Sequence, residues 1–419
     1  MSAVPPSPIE PSDVLDRRSL YTYLGARFAA TQAFHIFLVS VGWHLYELTG
    51  SALDLGLIGL FQFLPTMAML LVVGHVVDHY DRIRVLRSVQ ALSAVSVAAL
   101  AVSSHGGAIN RELIFAFVFL YSITRAFEGP AQQAILPSLV PPRQLPRAIA
   151  AASSMQELGS IIGPAVGGLL CMIAPEAAYA AVAVLYLLSV ALLAVPQPTH
   201  APARGTHQDA ARDARAILNN LFAGFAYVRK NPVLLGAMTL DMAATLLGGV
   251  WALLPVVAKD ILQVDAGGLG LLRSASALGA MAMAATLTRW PLQSGVGRKL
   301  FVSVTIYGLS VIVFGLSHTF WLSFLALIVL GASDNISVVV RGSLAQLETP
   351  NEMRGRVGAV SFTFINISSQ IGQLETGVAA ALLGTVPAIV VGGVGAIAVA
   401  GIWMRLFPAL LQRDRMHQH

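Results

Sequence analysis

Apolar runs of about 20 residues recur along this chain, divided by short segments that hold most of its charge. A run of that length crosses a hydrocarbon core of about 30 Å as an α-helix, which satisfies every backbone donor and acceptor inside the segment. The pattern predicts twelve transmembrane helices. The first six cover Tyr21–Tyr46, Leu55–Val77, Val85–Ser104, Leu113–Ile135, Arg147–Ile173 and Ala177–Val195. The second six cover Val233–Val257, Leu269–Trp290, Lys299–Leu316, Phe320–Arg341, Arg356–Leu383 and Val386–Phe407. The division that follows is a tail at 1–20, a six-helix bundle at 21–195, a linker at 196–232, a second six-helix bundle at 233–407 and a tail at 408–419. In the linker, Leu218, Leu221, Phe222, Phe225 and Val228 fall at helical spacing and predict an amphipathic helix on the membrane surface.

Composition agrees with an all-α membrane protein. Apolar residues make up 56% of the 419 positions and charged residues only 11%, against about 25% in a soluble domain. So few charges do not coat a water-facing surface, which argues against a soluble enzyme. The net charge of +5 sits in the loops and has a topological explanation, so no nucleic-acid partner is expected. With the N-terminus inside, the inner segments hold about 20 of the 26 Lys and Arg residues, and the outer loops hold only Arg111 and Lys259. Both termini are therefore expected in the cytoplasm. Residues 1–18 carry Glu10, Asp13 and Asp16 with no apolar core, and read as a tail rather than a signal peptide. The lone Cys171 lies in an apolar run, which leaves no intramolecular disulfide and no cysteine-based metal site.

A weak repeat appears at an offset of about 208 residues. Leu136, Leu139, Pro142, Leu145, Ala151 and Ser153 align without gaps on Leu344, Leu347, Pro350, Met353, Ala359 and Ser361. The alignment sets helix 4 against helix 10 and helix 5 against helix 11, the parallel repeat of a two-bundle transporter.

Two motifs carry a family resemblance. After helix 2 come Gly74, Asp78, Asp81, Arg82 and Arg84, with His79 and Ile83 among them. With twelve spans, this resembles the loop signature of the major facilitator superfamily, with His79 where an arginine is usual. An acid at this membrane boundary suits the N-terminal end of helix 11 and would form a cytoplasmic latch; plain helix capping or topology signalling is the competing reading. Helix 5 carries Gly159, Gly163, Pro164, Gly167 and Gly168, which matches the signature that the superfamily associates with proton-driven antiporters. Glycines four apart also make an ordinary packing face, and Pro164 permits a bend. Further motifs extend the resemblance to the enterobactin-exporter branch: Arg125 to Pro137, Asp241 ahead of Leu254-Pro255, Asp334-Asn335, and Met353 to Val357. That branch exports catecholate siderophores, and its relatives handle macrolides and other drugs.

Charges inside spans are costly and normally face a cavity or a partner. They are Arg27, Arg125, Glu128, Asp241, Arg273, Asp334, Arg341 and Glu375. Six of these eight fall on helices 1, 4, 7 and 10, which the resemblance places around a central cavity. Arg125 and Glu128 are three apart and share a helix face. Asp241, then Glu128 and Glu375, are the expected proton-coupling carboxylates. Arg27, Arg125, Asp334 and Arg341 are expected as cavity or gate charges. His35 and His44 titrate near neutrality or serve as packing residues. Phe28, Phe34, Phe37, Phe61, Phe63 and Trp251 either line a site for a large aromatic solute or fill packing space.

The expected function is secondary transport of a small molecule by alternating access, with protons as the driving partner and the bilayer as surroundings. Export is favoured, and uptake by a symporter of the same fold is the alternative. A membrane enzyme or sensor is remote, since the chain has no nucleophile–base pair or His-Glu-x-x-His cluster and no nucleotide-binding loop. No cofactor or metal is expected, and the monomer is the expected state.

Overall fold

A computed structural model of the chain describes residues 17–195, 219, 222–292 and 294–414. Twelve helices of 16 to 33 residues account for nearly all of them. The first set is α1 (Arg17–Thr49), α2 (Ala52–His79), α3 (Arg82–His105), α4 (Arg111–Leu139), α5 (Leu145–Ile173) and α6 (Pro175–Leu192). The second set is α7 (Pro232–Leu247), α8 (Ala266–Arg289), α9 (Val296–Leu316), α10 (Phe320–Leu347), α11 (Arg354–Leu383) and α12 (Thr385–Leu406).

Polar residues in the short connections set several helix starts by accepting otherwise orphaned backbone N–H groups. Ser51 caps α2, Asn110 caps α4 and Asp265 caps α8. Asn231 does the same for α7, where Pro232 occupies the first turn and needs no donor.

Ten of the helices are long and apolar enough to cross a membrane. The exceptions are informative. The expected helix over Val233–Val257 stops at Leu247, where Gly248 and Gly249 follow, and resumes as a short helix at Leu254–Val256 and a π-helical turn at Val257–Ile261. Two consecutive glycines weaken helical propensity, and Pro255 removes a backbone donor from the continuation. Helix α11 has the length, at 30 residues, but its face is interrupted by Asn366, Ser369, Gln370 and Gln373.

Packing follows one scheme twice. In the first set, α1 packs on α5 and α6, α3 on α4 and α6, and α2 on α4. In the second, α7 packs on α11 and α12, α9 on α10 and α12, and α8 on α10. Adding six to each helix number of the first scheme gives the second. This is the spatial form of the weak repeat in the sequence. The sets meet chiefly along α5 with α8 and α2 with α11.

An even number of helices brings both ends of the described chain to one face, here termed the terminal face. The end of the linker and the C-terminal segment converge there on the α10–α11 connection. Residues 222–230 are helical, with Gly224 against the backbone of Arg356 and the Tyr227 hydroxyl donating to the Glu348 carbonyl at 2.6 Å. Arg413 pairs with the Glu348 carboxylate, and the Gly297 N–H donates to the Arg413 carbonyl at 2.9 Å. Of the expected amphipathic linker helix, Phe222 and Phe225 are exposed and Val228 is buried, whereas Leu218 and Leu221 lie outside the described residues.

Candidate functional site

The two sets enclose a cavity of about 390 Å³. Phe34 and His35 of α1, Gln62 of α2, Glu157 of α5, Arg273 of α8 and Asp334 of α10 line it. Trp251, in the break after α7, and the polar stripe of α11 complete the wall. Asn366, Ser369, Gln370 and Gln373 fall at i, i+3, i+4 and i+7, so α11 turns one polar face to the cavity. The size and mixed lining suit a small-molecule site.

The expected site charges divide into tied and free. On α4, Arg125 forms an ion pair with Glu128, and Glu128 is fully buried. The guanidinium of Arg125 also stacks 4.1 Å from the centroid of the Phe34 ring. Between α7 and α10, Arg341 forms an ion pair with Asp241, which also accepts a hydrogen bond from the Ser337 hydroxyl at 3.1 Å. Both members of that pair are buried. Arg27 donates to Gln156 of α5 at 2.7 Å and so links α1 to α5. Neither Asp241 nor Glu128 lines the central cavity. Glu375 is half-buried toward the end of α11, where the neighbouring Thr376 hydroxyl reaches it at 3.5 Å, and it too lies outside the cavity lining.

Asp334 and Arg273 are different. Each lines the cavity, and neither has a hydrogen bond or ion pair among the described residues. Two further parts of the lining were not among the expected site residues: Glu157, an ionisable residue in an apolar span like the others, and the α11 polar stripe, whose one-face spacing is legible in the sequence.

The histidines and aromatic residues also divide. His35 faces the cavity, whereas His44 is buried with Nδ1 3.1 Å from the Tyr179 hydroxyl. Of the aromatic candidates, Phe34 and Trp251 line the cavity. Phe37 is packed against Tyr121 in the core of the first set, and Phe61 stacks on Phe115. Phe28 and Phe63 are half-buried and lie outside the lining.

The glycines of α5 serve two contacts. A methyl group at Gly159 would come within 2.5 Å of the Thr31 side chain, at Gly163 within 2.6 Å of His35 Cβ, and at Gly167 within 3.0 Å of the Ile36 backbone. Those three bring α5 against α1. Gly168 faces the other set, where a methyl would lie 3.0 Å from Gly270 Cα of α8. Close approach at Pro164 continues this seam, and the Ser274 hydroxyl donates to the Ile161 carbonyl at 2.6 Å.

The corresponding seam between α2 and α11 is as tight, since a methyl at Gly56 would lie 2.8 Å from Gly377 Cα. Both seams lie toward the face opposite the termini. At that far face the Tyr46 hydroxyl of α1 donates to Asp260 in the π-helical turn, and Lys259 sits 5.9 Å from the Trp43 ring. Toward the terminal face the sets part. Helix α4 makes at most glancing contact with any helix of the second set, and Gly129, Gly342 and Gly358 face open space.

The loop-signature residues bond within their own set. Asp81 caps α3 by accepting from the Arg84 N–H at 2.9 Å, and Arg82 donates to the Ala134 carbonyl of α4 at 3.1 Å. Gly74 is half-buried within α2. The side chain of Asp78 lies outside the described residues. Among the described residues, no group of three His, Cys, Asp or Glu side chains is arranged to hold a metal ion.

Twelve helices in a twice-used packing scheme around a polar, charged cavity define a major facilitator transporter, and not an enzyme. A family model described as a transmembrane secretion effector matches residues 21–416, and the chain belongs to that family. It is similar to the enterobactin exporter EntS of Citrobacter koseri, with 27% identity over 93% of this chain and 92% of that one. It is also similar to macrolide efflux protein A of Streptococcus pyogenes, with 29% identity over 39% of this chain and 41% of the relative. The chain is thus a multi-pass inner-membrane protein of a family with efflux members. Among solved structures, the nucleoside transporter NupG superposes with a TM-score of 0.72 at 13% identity, over 93% of this chain and 99% of that one. A bacterial homolog of the human lysosomal transporter Spinster, inward-facing and unoccupied, superposes with a TM-score of 0.68 at 13% identity over 95% of this chain and 97% of that one. At such identities these likenesses concern the fold alone.

Proposed function

We propose that this protein is a proton-coupled exporter that carries a small molecule out of the cell by alternating access. In this reading it crosses the inner membrane twelve times, both termini are cytoplasmic, and the two helix sets are the rocking bodies. The cytoplasmic surplus of Lys and Arg supports that orientation.

The observation that carries the proposal is the asymmetry of the cavity. The sets are sealed at the far face by the α2–α11 and α5–α8 seams and part toward the terminal face. With the terminal face cytoplasmic, this is a loading state open to the cell interior. Export then needs the seams to separate and the terminal face to close.

Asp334 is the carboxylate best suited to exchange a proton against solute, because it faces the cavity without a partner among the described residues. Asp241 and Glu128 are held by Arg341 and Arg125 and act in keeping α7 with α10 and α4 in register. Glu375, away from the cavity, is a weaker candidate for the same exchange. Asp78 remains a candidate latch for the closed terminal face, with Asp81 and Arg82 holding its loop in place. Gly168 of α5 lies on the surface along which the sets separate, while Gly159, Gly163 and Gly167 keep α5 with α1.

The relatives point to a siderophore such as enterobactin, or a drug such as a macrolide, as cargo. Proteoliposomes with an imposed pH gradient test the proposal. Accumulation of enterobactin or a macrolide against its gradient, dependent on the proton gradient and running outward relative to the terminal face, is expected. Transport that ignores the pH gradient removes proton coupling, and movement in the same direction as protons makes the protein an uptake symporter.

A further inference from the structure

We propose that the central cavity selects an organic anion with a planar apolar body, held by Arg273 and stacked against Phe34. The inference rests on the transport reading above and names the class of its solute.

The first support is charge that has no internal answer. Arg273 lines the cavity from α8, partly shielded from solvent, and has no hydrogen-bond or ion-pair partner among the described residues. The cavity also holds two carboxyl groups, Asp334 on α10 and Glu157 on α5. The signs are not equivalent. A carboxyl group can shed its charge by taking up a proton, whereas a guanidinium keeps its charge throughout the range that proteins experience. Neither carboxyl group pairs with Arg273 among the described residues, so when the cavity closes around a solute and loses water, an anionic solute supplies the direct counter-ion at the guanidinium while Asp334 stays ionised until it exchanges. A carboxylate or ionised phenol meets the fork of donors that a guanidinium presents.

The second support is independent of Arg273. Phe34 carries the Arg125 guanidinium on its ring at 4.1 Å, and His35 approaches the same ring edge-on at 5.2 Å. A cation binds an aromatic ring through the negative potential of its face. With a guanidinium already drawing on that potential, the ring is a poor seat for a second cation and a good platform for an electron-rich ring. Trp251 adds an aromatic surface, and Gln62, Gln370 and Gln373 supply neutral hydrogen-bonding groups that accept several substituents. The Oε1 of Gln370 is buried and has no partner among the described residues.

Three probes of matched shape separate charge from fit: 2-naphthoate, 2-naphthamide and 2-naphthylmethylammonium. Binding of each is measured by titration calorimetry on the full chain in phosphatidylcholine nanodiscs, without any gradient. Naphthoate is expected to bind at least tenfold more tightly than either analogue. Arg273→Gln is expected to remove that preference, Arg273→Lys to keep most of it, and Phe34→Ala to weaken all three probes together. Arg273 has no partner to lose among the described residues, and the lysine variant controls for a change in fold. A preference for the ammonium probe, no binding of naphthoate, an unchanged naphthoate affinity in Arg273→Gln, or an equal fall of all three probes in that variant would each overturn the proposal. Failure of the exporter reading is separate: pH-driven transport can be absent while the naphthoate preference and its loss in Arg273→Gln persist.

Discussion

The Tyr46 hydroxyl and the Asp260 carboxylate meet across the two helix sets at the face opposite the termini, joining α1 to the π-helical turn that follows α7. Tyr46 is buried and Asp260 is exposed, so the bond is half in water and contributes about 1 kcal/mol to the sealed state. Losing it should shift the balance between sealed and open far faces by roughly fivefold. Tyr46→Phe and Asp260→Asn are therefore expected to raise the fraction open at the far face. Spin labels on the far ends of α5 and α8, in a Cys171→Ser background, would report this as growth of a longer-distance population. An unchanged distribution in both variants removes the pair as a gate.

Gly168 and Gly270 touch where α5 crosses α8, and Gly56 and Gly377 do so between α2 and α11. Larger side chains there hold the seams apart. Gly168→Val and Gly377→Val should each cost about 1–3 kcal/mol of the sealed state and abolish net transport while the protein still inserts. Gly342→Ala, which meets open space in this state, serves as a control expected to leave that state unaffected. The distance measurement above and proteoliposome flux check both outcomes.

Arg341 and Asp241 form a buried pair, and removing one partner strands the other. Asp241→Asn alone and Arg341→Gln alone should each destabilise the protein by about 3–5 kcal/mol, seen as a lower thermal midpoint in detergent. The double variant should recover most of that loss. A pair that is purely structural predicts that transport recovers along with stability. Transport that stays lost in a stable double variant would assign the pair to the transport cycle.

Asp334 gives the opposite pattern, because it has no partner to strand among the described residues. Asp334→Asn should leave the stability within about 1 kcal/mol of the parent, seen as a nearly unchanged thermal midpoint in detergent, and abolish the dependence of flux on an imposed pH gradient. Full gradient dependence in the folded variant would falsify the assignment and return attention to Glu157, the other cavity carboxylate.

Much of the architecture was legible along the chain. Run length and loop charge give the helices and a candidate orientation, because a hydrocarbon core leaves a spanning segment little choice but a long apolar helix. The repeat at about 208 residues, weak residue by residue, corresponds to a packing scheme in which the five main helix pairings of the first set recur in the second. The glycines of α5 were legible as a packing surface. That Gly168 turns to the second set while Gly159, Gly163 and Gly167 turn to α1 was not.

Residue chemistry along the chain marks which side chains are too costly to leave in lipid: Arg125, Glu128, Asp241, Arg273, Asp334 and Arg341 among them. Tertiary structure decided which of those costs are met inside the protein. Spacing of three brings Arg125 to Glu128 on one helix, but Asp241 and Arg341 are 100 positions apart and meet only because α7 lies beside α10. Once those pairs form, Asp241 and Glu128 each carry an arginine counter-charge, whereas Glu375 does not. Asp334 and Arg273, which local pattern does not set apart, are left facing the cavity. Local spacing fixes partners within a helix; only the assembled bundles fix which charge remains for a solute.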